Sequence, residues 1–321
     1  MIATDKISVV IPCFNAARYV VAAVSSVLAQ VWPELEIIVV DDGSSDASAE
    51  AVRSAFPSAA FPSVTVLQQP NQGVAAARNF GIRHATGEWV AFLDADDIWL
   101  PGKLQAQIDL LQGHPSARMA YSAWQVWQSE EPAPQRPDEW LALPADEARW
   151  AGPSGWIYPQ LLLDCEVWTS TVIARRSLFD EIGVFDTTLR VGEDYDLWLR
   201  ASRVTPILRV PRPLALYRQH ATSITRGAPP DNYRGIVVSR ALAKWGYAQE
   251  QVHADRSQVD RALAKSWSDY AAANLEAGHL ARARHGVMSS LRADPTHAGA
   301  WKALVRMALR SVSPRRAGTM P

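Results

Sequence analysis

The sequence predicts an α/β fold: a doubly wound, mostly parallel sheet flanked by helices, with an α-helical C-terminal extension. Three observations predict it. Short, apolar, β-branched runs alternate with stretches that repeat apolar residues every three and four positions. Carboxylates and turn residues cluster where those runs stop. After Pro229-Pro230 the chain becomes Ala- and Arg-rich and loses its strand pattern.

The first run, Ile7-Ser8-Val9-Val10-Ile11, stops at Pro12 and reads as a buried strand. Val20, Ala23, Val24, Val27, Leu28 and Val31 then line one helical face, which Pro33 closes. Leu35 to Val40 is a second strand, and it runs into the capping-rich turn Asp41-Asp42-Gly43-Ser44-Ser45-Asp46. A helix to about Phe56, a strand at Val64–Leu67 and a helix from Gly73 to His84 follow. Trp89 to Leu93 is a fourth strand, ending at Asp94. Residues 128–155, rich in Pro, Glu, Asp and Trp, read as a long loop or irregular insertion. Glu193 and Asp194 open a helix whose apolar face is Leu197, Trp198 and Ala201. From Ala271 to Leu309 the pattern is helix, turn at Asp294-Pro295, helix, similar to a single tetratricopeptide helix pair. The expected division is an α/β domain over 1–229 and a helical region over 230–321.

With 321 residues, 48% of them hydrophobic, the chain can bury a sizeable core. Its net charge of −1 gives no general attraction to nucleic acid. The charge is uneven: residues 232–321 hold 14 Lys and Arg against 6 Asp and Glu, so residues 1–231 carry the compensating acid. A basic helical region of this kind can be a solvated face or a contact for an anionic membrane. Cys13 and Cys165 make neither a disulfide framework nor a zinc site and fit a reducing cytoplasm. No secretory signal pattern and no apolar run of about eighteen residues occurs. The expectation is a cytoplasmic protein, peripheral at most on the inner membrane face.

In parallel sheets of this type ligands bind beyond the carboxyl ends of the strands. Pro12, Asp41-Asp42 and Asp94-Ala95-Asp96-Asp97 all fall there. Asp94 and Asp96, two apart in extended backbone, point to one side and can share a divalent cation with phosphate ligands. A bare Asp-x-Asp is more often an ordinary turn; its place after an apolar strand favours the metal. Asp42 can accept the imide N–H of uracil, or simply stabilise its turn. Arg78 can reach a phosphate, although a surface ion pair would suffice to explain it. Glu193 and Asp194 suit a helix start through its dipole, and also suit a general base. His220 can offer a nitrogen to a metal. Among 13 tryptophans, Trp124, Trp127, Trp156 or Trp168 can stack on a sugar.

Five strings in order resemble inverting glycosyltransferases of family 2, which have the GT-A fold. They are Ser8-Val9-Val10-Ile11-Pro12-Cys13-Phe14-Asn15, Val39 to Asp46, Asn71 to Gly81, Phe92 to Asp97, and Gly192-Glu193-Asp194. The resemblance covers about residues 5–225. It implies that Pro12 and Asn15 lie beside the nucleoside and that Asp42 binds the base. It implies Asp94 and Asp96 as metal ligands, Mn2+ or Mg2+, with Asp96 the firmer contact, and Asp194 as the catalytic base. His220 matches a further metal or diphosphate ligand in some members. The implied reaction moves a sugar from a nucleotide-diphosphate donor, UDP by default, to a hydroxyl of a glycan or lipid-linked glycan. The implied setting is cell-surface polysaccharide synthesis.

The alternative is a nucleotide-sugar- or glycan-binding scaffold of the same fold without chemistry. The intact Asp94, Asp96 and Asp194 speak against it. A nucleotidylyltransferase would carry a Gly-rich, basic loop after the first strand, where this chain has Cys13-Phe14-Asn15-Ala16. A phosphatase of the Asp-x-Asp type would place its acids directly after the first strand rather than after a later one.

Overall fold

A computed structural model describes residues 5–131, 149–219 and 230–312, the side chains of 310–312 excepted. The chain divides into two compact units, Met1–Ala221 and Thr222–Pro321.

The first unit is built on an eight-stranded mixed sheet, in the order β3-β2-β1-β4-β7-β6-β8-β5. Its strands are β1 (Ile7–Cys13), β2 (Leu35–Asp41), β3 (Val64–Gln68), β4 (Trp89–Phe92), β5 (Ile98–Trp99), β6 (Met119–Gln128), β7 (Ile173–Arg175) and β8 (Ile207–Gln219). The helices are α1 (Val20–Leu28), α2 (Ser48–Ala55), α3 (Val74–His84), α4 (Lys103–Gln112), α5 (Tyr158–Leu163), α6 (Arg176–Ile182) and α7 (Glu193–Ala201). Strands β1 to β4 pair in parallel, and the apolar runs of β1, β2 and β4 are buried as a sheet covered on both faces requires. Strand β7 then enters antiparallel to β4, and β6 pairs antiparallel with β7 but parallel with β8.

Alternate residues of β1 serve opposite faces of the sheet. Val9 and Ile11 join the core formed with Val20, Val24 and Val27 of α1 and Leu104 and Ile108 of α4. On the other face α3 lies close against β1: a Cβ on Gly81 would come within 2.3 Å of the Val10 side chain. The register aligns Cys13 with Asp41 and Val10 with Phe92. The ends of β1, β2 and β4 therefore open on the same side, and their loops share one crevice.

Two local expectations need correction. The first helix stops at Leu28, and Val31, expected on its apolar face, has a positive φ of 52° and is 88% exposed. The segment expected as one helix from Ala271 is broken at Gly278, whose φ of +81° a helix interior does not allow.

The second unit contains α8 (Tyr233–Trp245), α9 (Arg256–Glu276), α10 (Leu280–Ala293) and α11 (Ala298–Val312). Ala271, Val287 and Ala303 form the small core where the last three meet.

Lys103 is an unusual core residue of the first unit. It is fully buried at the start of α4, its Nζ donates to Gln107 Oε1 at 2.7 Å, and it lies 4.0 Å from the Trp99 ring centroid. Burial holds its pKa well below the ordinary lysine value. Between its folded and unfolded values the unfolded chain therefore binds a proton that the folded chain lacks, and stability rises with pH up to the unfolded value near 10.4. We expect the stability difference between Lys103→Met and wild type to shift by up to about 1.4 kcal/mol per pH unit in this window. The wild type should gain on the variant as pH rises, measured by urea unfolding at pH 7, 8 and 9. A pH-independent difference would mean that Lys103 keeps its charge.

Candidate active site

The β2–α2 turn organises one wall of the crevice. Gly43 has φ +73°, and a Cβ there would come within 2.8 Å of the Asn71 backbone N. Asp42 Oδ1 accepts from Gln69 Nε2 at 2.7 Å and the Gln72 N–H at 2.9 Å, and Oδ2 accepts from the Gly73 N–H at 2.8 Å. This fixes the entry to α3. A carboxylate offers about four acceptor positions, so Oδ2 retains one. Asn15, with φ 50°, joins the β1 and β2 loops: its N–H donates to Ser44 Oγ and its Oδ1 accepts from the Ser45 N–H at 2.8 Å. Pro12 is buried in β1 beside Val40. Phe14, which the sequence did not single out, is 52% exposed just beyond β1.

Arg78 sits in the middle of the wall formed by α3. It is 4% exposed, so it is buried rather than at the surface. One terminal nitrogen donates to Asp94 Oδ1 and the other to Glu193 Oε1, both at 2.6 Å. Its guanidinium also lies 5.3 Å from the Phe185 ring centroid. The adjacent Asn79 clamps the Phe185 backbone, donating to its C=O at 2.8 Å and accepting from its N–H at 3.0 Å. A chain separation of 115 residues is thereby closed between Arg78 and the start of α7. Burial pushes the Glu193 carboxyl up, to about 7, against the pull of the guanidinium and with the help of the neighbouring Asp194 charge.

A 3-10 turn at Thr169–Thr171 meets the same acids. Thr169 Oγ1 donates to Asp194 Oδ2 at 2.7 Å. Ser170 Oγ donates to Asp97 Oδ2 at 2.5 Å and accepts from the Asp94 N–H at 3.0 Å. Asp97 is buried and also accepts from the Arg218 N–H at 2.9 Å. Burial, then the charges of Asp96 and Asp94, hold its carboxyl well above the usual range. Asp97 is a structural acid, whereas Asp94, Asp96 and Asp194 stay partly exposed.

The structure thus gathers Asp94, Asp194, Glu193 and Arg78 around one crevice. His220 lies outside the described residues, as does most of the expected loop at 128–155. Of the tryptophans raised for sugar stacking, Trp168 and Trp124 lie together, ring centroids 6.2 Å apart, with Tyr217 4.1 Å from Trp168. Trp127 instead packs under the Arg218 guanidinium at 4.2 Å.

The family model for glycosyl transferase family 2 matches residues 8–178. The chain belongs to glycosyl transferase family 2. Among curated members it is 30% identical to the uncharacterized glycosyltransferase RP339 of Rickettsia prowazekii, over 69% of this chain and 66% of that one. It is also 30% identical to UDP-Glc:alpha-D-GlcNAc-diphosphoundecaprenol beta-1,3-glucosyltransferase WfgD of Escherichia coli, over 60% and 68%. The chain spans about a third of the length of three other Rickettsia relatives, at 26–29% identity. Its fold is shared with S. aureus TarS 1-349 solved with UDP-GlcNAc, at TM-score 0.62 and 17% identity over 90% of this chain and 81% of that one. It is shared as well with the mannosyltransferase PcManGT from Pyrobaculum calidifontis solved with GDP-Man and Mn2+, at TM-score 0.55 and 20% identity over 98% and 82%.

In this family 2 member the sequence missed the Thr169-Ser170 turn and the Arg78–Glu193 pair. Both are contacts across long separations, and nothing local in Thr-Ser-Thr signals them.

Removing one partner of a buried charge pair leaves the others unpaired and typically costs about 3–5 kcal/mol. Asp94 is 26% exposed and can recover water, so we expect about 3 kcal/mol for Arg78→Met in urea unfolding. A loss below about 1 kcal/mol would show that the bridge is not a structural one.

Proposed function

We propose that the chain is an inverting, metal-dependent glycosyltransferase. It moves a sugar from a nucleotide-diphosphate donor, UDP-sugar first, to a hydroxyl of a glycan or lipid-linked glycan in cell-surface polysaccharide synthesis. One observation carries the reading: Asp194 is tied through the Thr169-Ser170 turn to the loop that bears Asp94 and Asp96. Acids a hundred residues apart in sequence are thereby held on one short turn beside the strand ends.

The residues fit a divalent cation held jointly with a substrate. Among the described residues no three His, Cys, Asp or Glu side chains gather as a complete metal cage. Mg2+ and similar ions are usually held by one or two carboxylates, with phosphates and water completing the shell. Asp94 and Asp96 supply that pair, and Asp94 Oδ2 is clear of the Arg78 bond to Oδ1. His220 is the proposed third ligand. When bound, the cation would spread the charge that builds on the leaving diphosphate. PcManGT with GDP-Man and Mn2+, and TarS with UDP-GlcNAc, support this donor chemistry.

Pro12, Asn15 and Asp42 are proposed to hold the nucleoside, with the remaining acceptor position of Asp42 for the base. Arg78 serves the nucleotide by fixing Asp94. Asp194 takes the proton from the acceptor hydroxyl, and that oxygen attacks the anomeric carbon from the face opposite the diphosphate. The bond to the diphosphate breaks, its electron pair leaves with the nucleotide, and the anomeric configuration inverts. Trp168, Trp124 and Tyr217 offer ring faces for the sugars. Similarity to WfgD supports a lipid-linked acceptor.

A well-placed base supplies about a hundred- to ten-thousand-fold. Asp194→Asn should therefore abolish transfer and leave nucleotide affinity within about twofold, whereas Asp96→Ala should lose Mn2+-dependent nucleotide binding. Calorimetry and a nucleotide-release assay read the two. Nucleotide and glycan binding without turnover in wild type, across UDP-, GDP- and dTDP-sugars, would favour the scaffold alternative.

We place the protein in the cytoplasm, peripheral on the inner membrane face. Among the described residues no helix is long and apolar enough to cross a membrane. Helix α11 exposes Trp301, Leu304, Val305 and Leu309, carries Lys302 and Arg306 beside them, and has no acid in its sequence. Each cation near an anionic surface contributes about 1 kcal/mol. Sedimentation with anionic vesicles should exceed that with neutral ones several-fold, and Lys302→Glu with Arg306→Glu should remove the excess. Equal binding to both lipids would exclude the electrostatic contact.

A further inference from the structure

The 3-10 turn has two sides, and both are occupied. Toward the crevice, Thr169 Oγ1 holds Asp194 Oδ2, and Ser170 Oγ holds both Asp97 Oδ2 and the Asp94 N–H. From the core, Trp99 Nε1 donates to the Ser170 C=O at 2.6 Å, and Gln107 Nε2 donates to the Thr171 C=O at 2.7 Å. Lys103 Nζ in turn donates to Gln107 Oε1. The Trp99 N–H is itself fixed to Ser26 Oγ of α1 at 3.1 Å. Thr169, Ser170 and Thr171 are all buried. Two carbonyl contacts thus tie the turn to the core, and three hydroxyl contacts tie it to the Asp94–Asp97 loop and to the first turn of α7.

A hydroxyl is well suited to this position. It binds a carboxylate without adding a charge that would compete with a cation or a phosphate. Packing from behind prevents the turn from following a moving acid, and catalytic groups need placement within about 0.5 Å.

We propose that Thr169 and Ser170 are positioning residues for sugar transfer, with separate tasks: Thr169 aims Asp194 at the acceptor, and Ser170 sets the Asp94–Asp97 loop for the metal–nucleotide. The inference rests on the transferase reading above. The two tasks divide what each variant should lose. Misplacement of a reacting group by about 1 Å costs on the order of a hundredfold. Thr169→Val keeps the shape and removes the hydroxyl. It should lower kcat about 10- to 100-fold, with donor KM and Mn2+–UDP affinity within about twofold. Thr169→Ser, which restores a hydroxyl, should recover most of that rate. Ser170→Ala should instead weaken Mn2+–UDP binding about tenfold, read by calorimetry without any turnover.

The assay uses the full chain, UDP-sugars with Mn2+, and the melting temperature of each variant. A wild type that transfers no sugar from any donor overturns the transferase reading itself. An active wild type whose Thr169→Val form matches it in kcat overturns the positioning role. So does a pattern in which both variants lose rate, affinity and melting temperature together, because that is the mark of a purely structural turn.

Discussion

Arg78 is a buried cation shared by two carboxylates, and the layout of the crevice follows from how that charge is satisfied. Taking a guanidinium out of water costs several kcal/mol unless its partners come with it. Asp94 belongs to the loop after β4 and Glu193 to the first turn of α7, so satisfying Arg78 draws two distant segments onto α3. The acids far outnumber the cations nearby. Asp94, Asp96, Asp97, Glu193 and Asp194 crowd together; burial, and behind it their mutual repulsion, raises the Asp97 and Glu193 carboxyls. Hydrogen bonds from Ser170, the Arg218 backbone and Thr169 take up part of this excess. The remaining negative charge lies on the partly exposed acids, the place proposed for a divalent cation and a diphosphate.

The legible part of the sequence was the part with a strong local pattern. Strands β1 to β4 are mostly apolar runs followed by turn residues, and the expected bounds fall within a residue or two of those observed, although β1 runs through Pro12 to Cys13 instead of stopping before it. Strands β5 and β7 have two and three residues, too short for any period to register. β6 and β8 pair in parallel with each other through register shifts near Ser122 and Ala123, which blurs alternation. Val31 looked like another position of the α1 face, but the chain had already left the helix at Ala29. Gly278 was a visible stop signal inside an Ala-rich run, and its left-handed φ explains why α9 and α10 are separate helices.

The site followed the same division. Asp94, Asp96 and Asp194, the acids of the proposed site, stood out as candidates because acids at a strand end and at a helix start are local features. Burial of Arg78 was not, since its neighbours in sequence, Ala75 to Ala77, would equally suit a surface helix. Its two partners lie 16 and 115 residues away, and only the folded chain brings them together. The role of Asp97 was hidden as well, because a third acid beside Asp96 looked like more of the same turn. In the fold it points inward to Ser170 and the Arg218 N–H, while Asp94 and Asp96 remain accessible.

Anomalous diffraction from crystals grown with UDP and Mn2+ tests most directly whether these acids share one ligand. The account predicts one manganese peak on Asp96, the diphosphate seated on it at the ends of β1, β2 and β4, and the Asp194 carboxylate facing the same cavity. Manganese bound by other acids, or a nucleotide seated away from those strand ends, would contradict it.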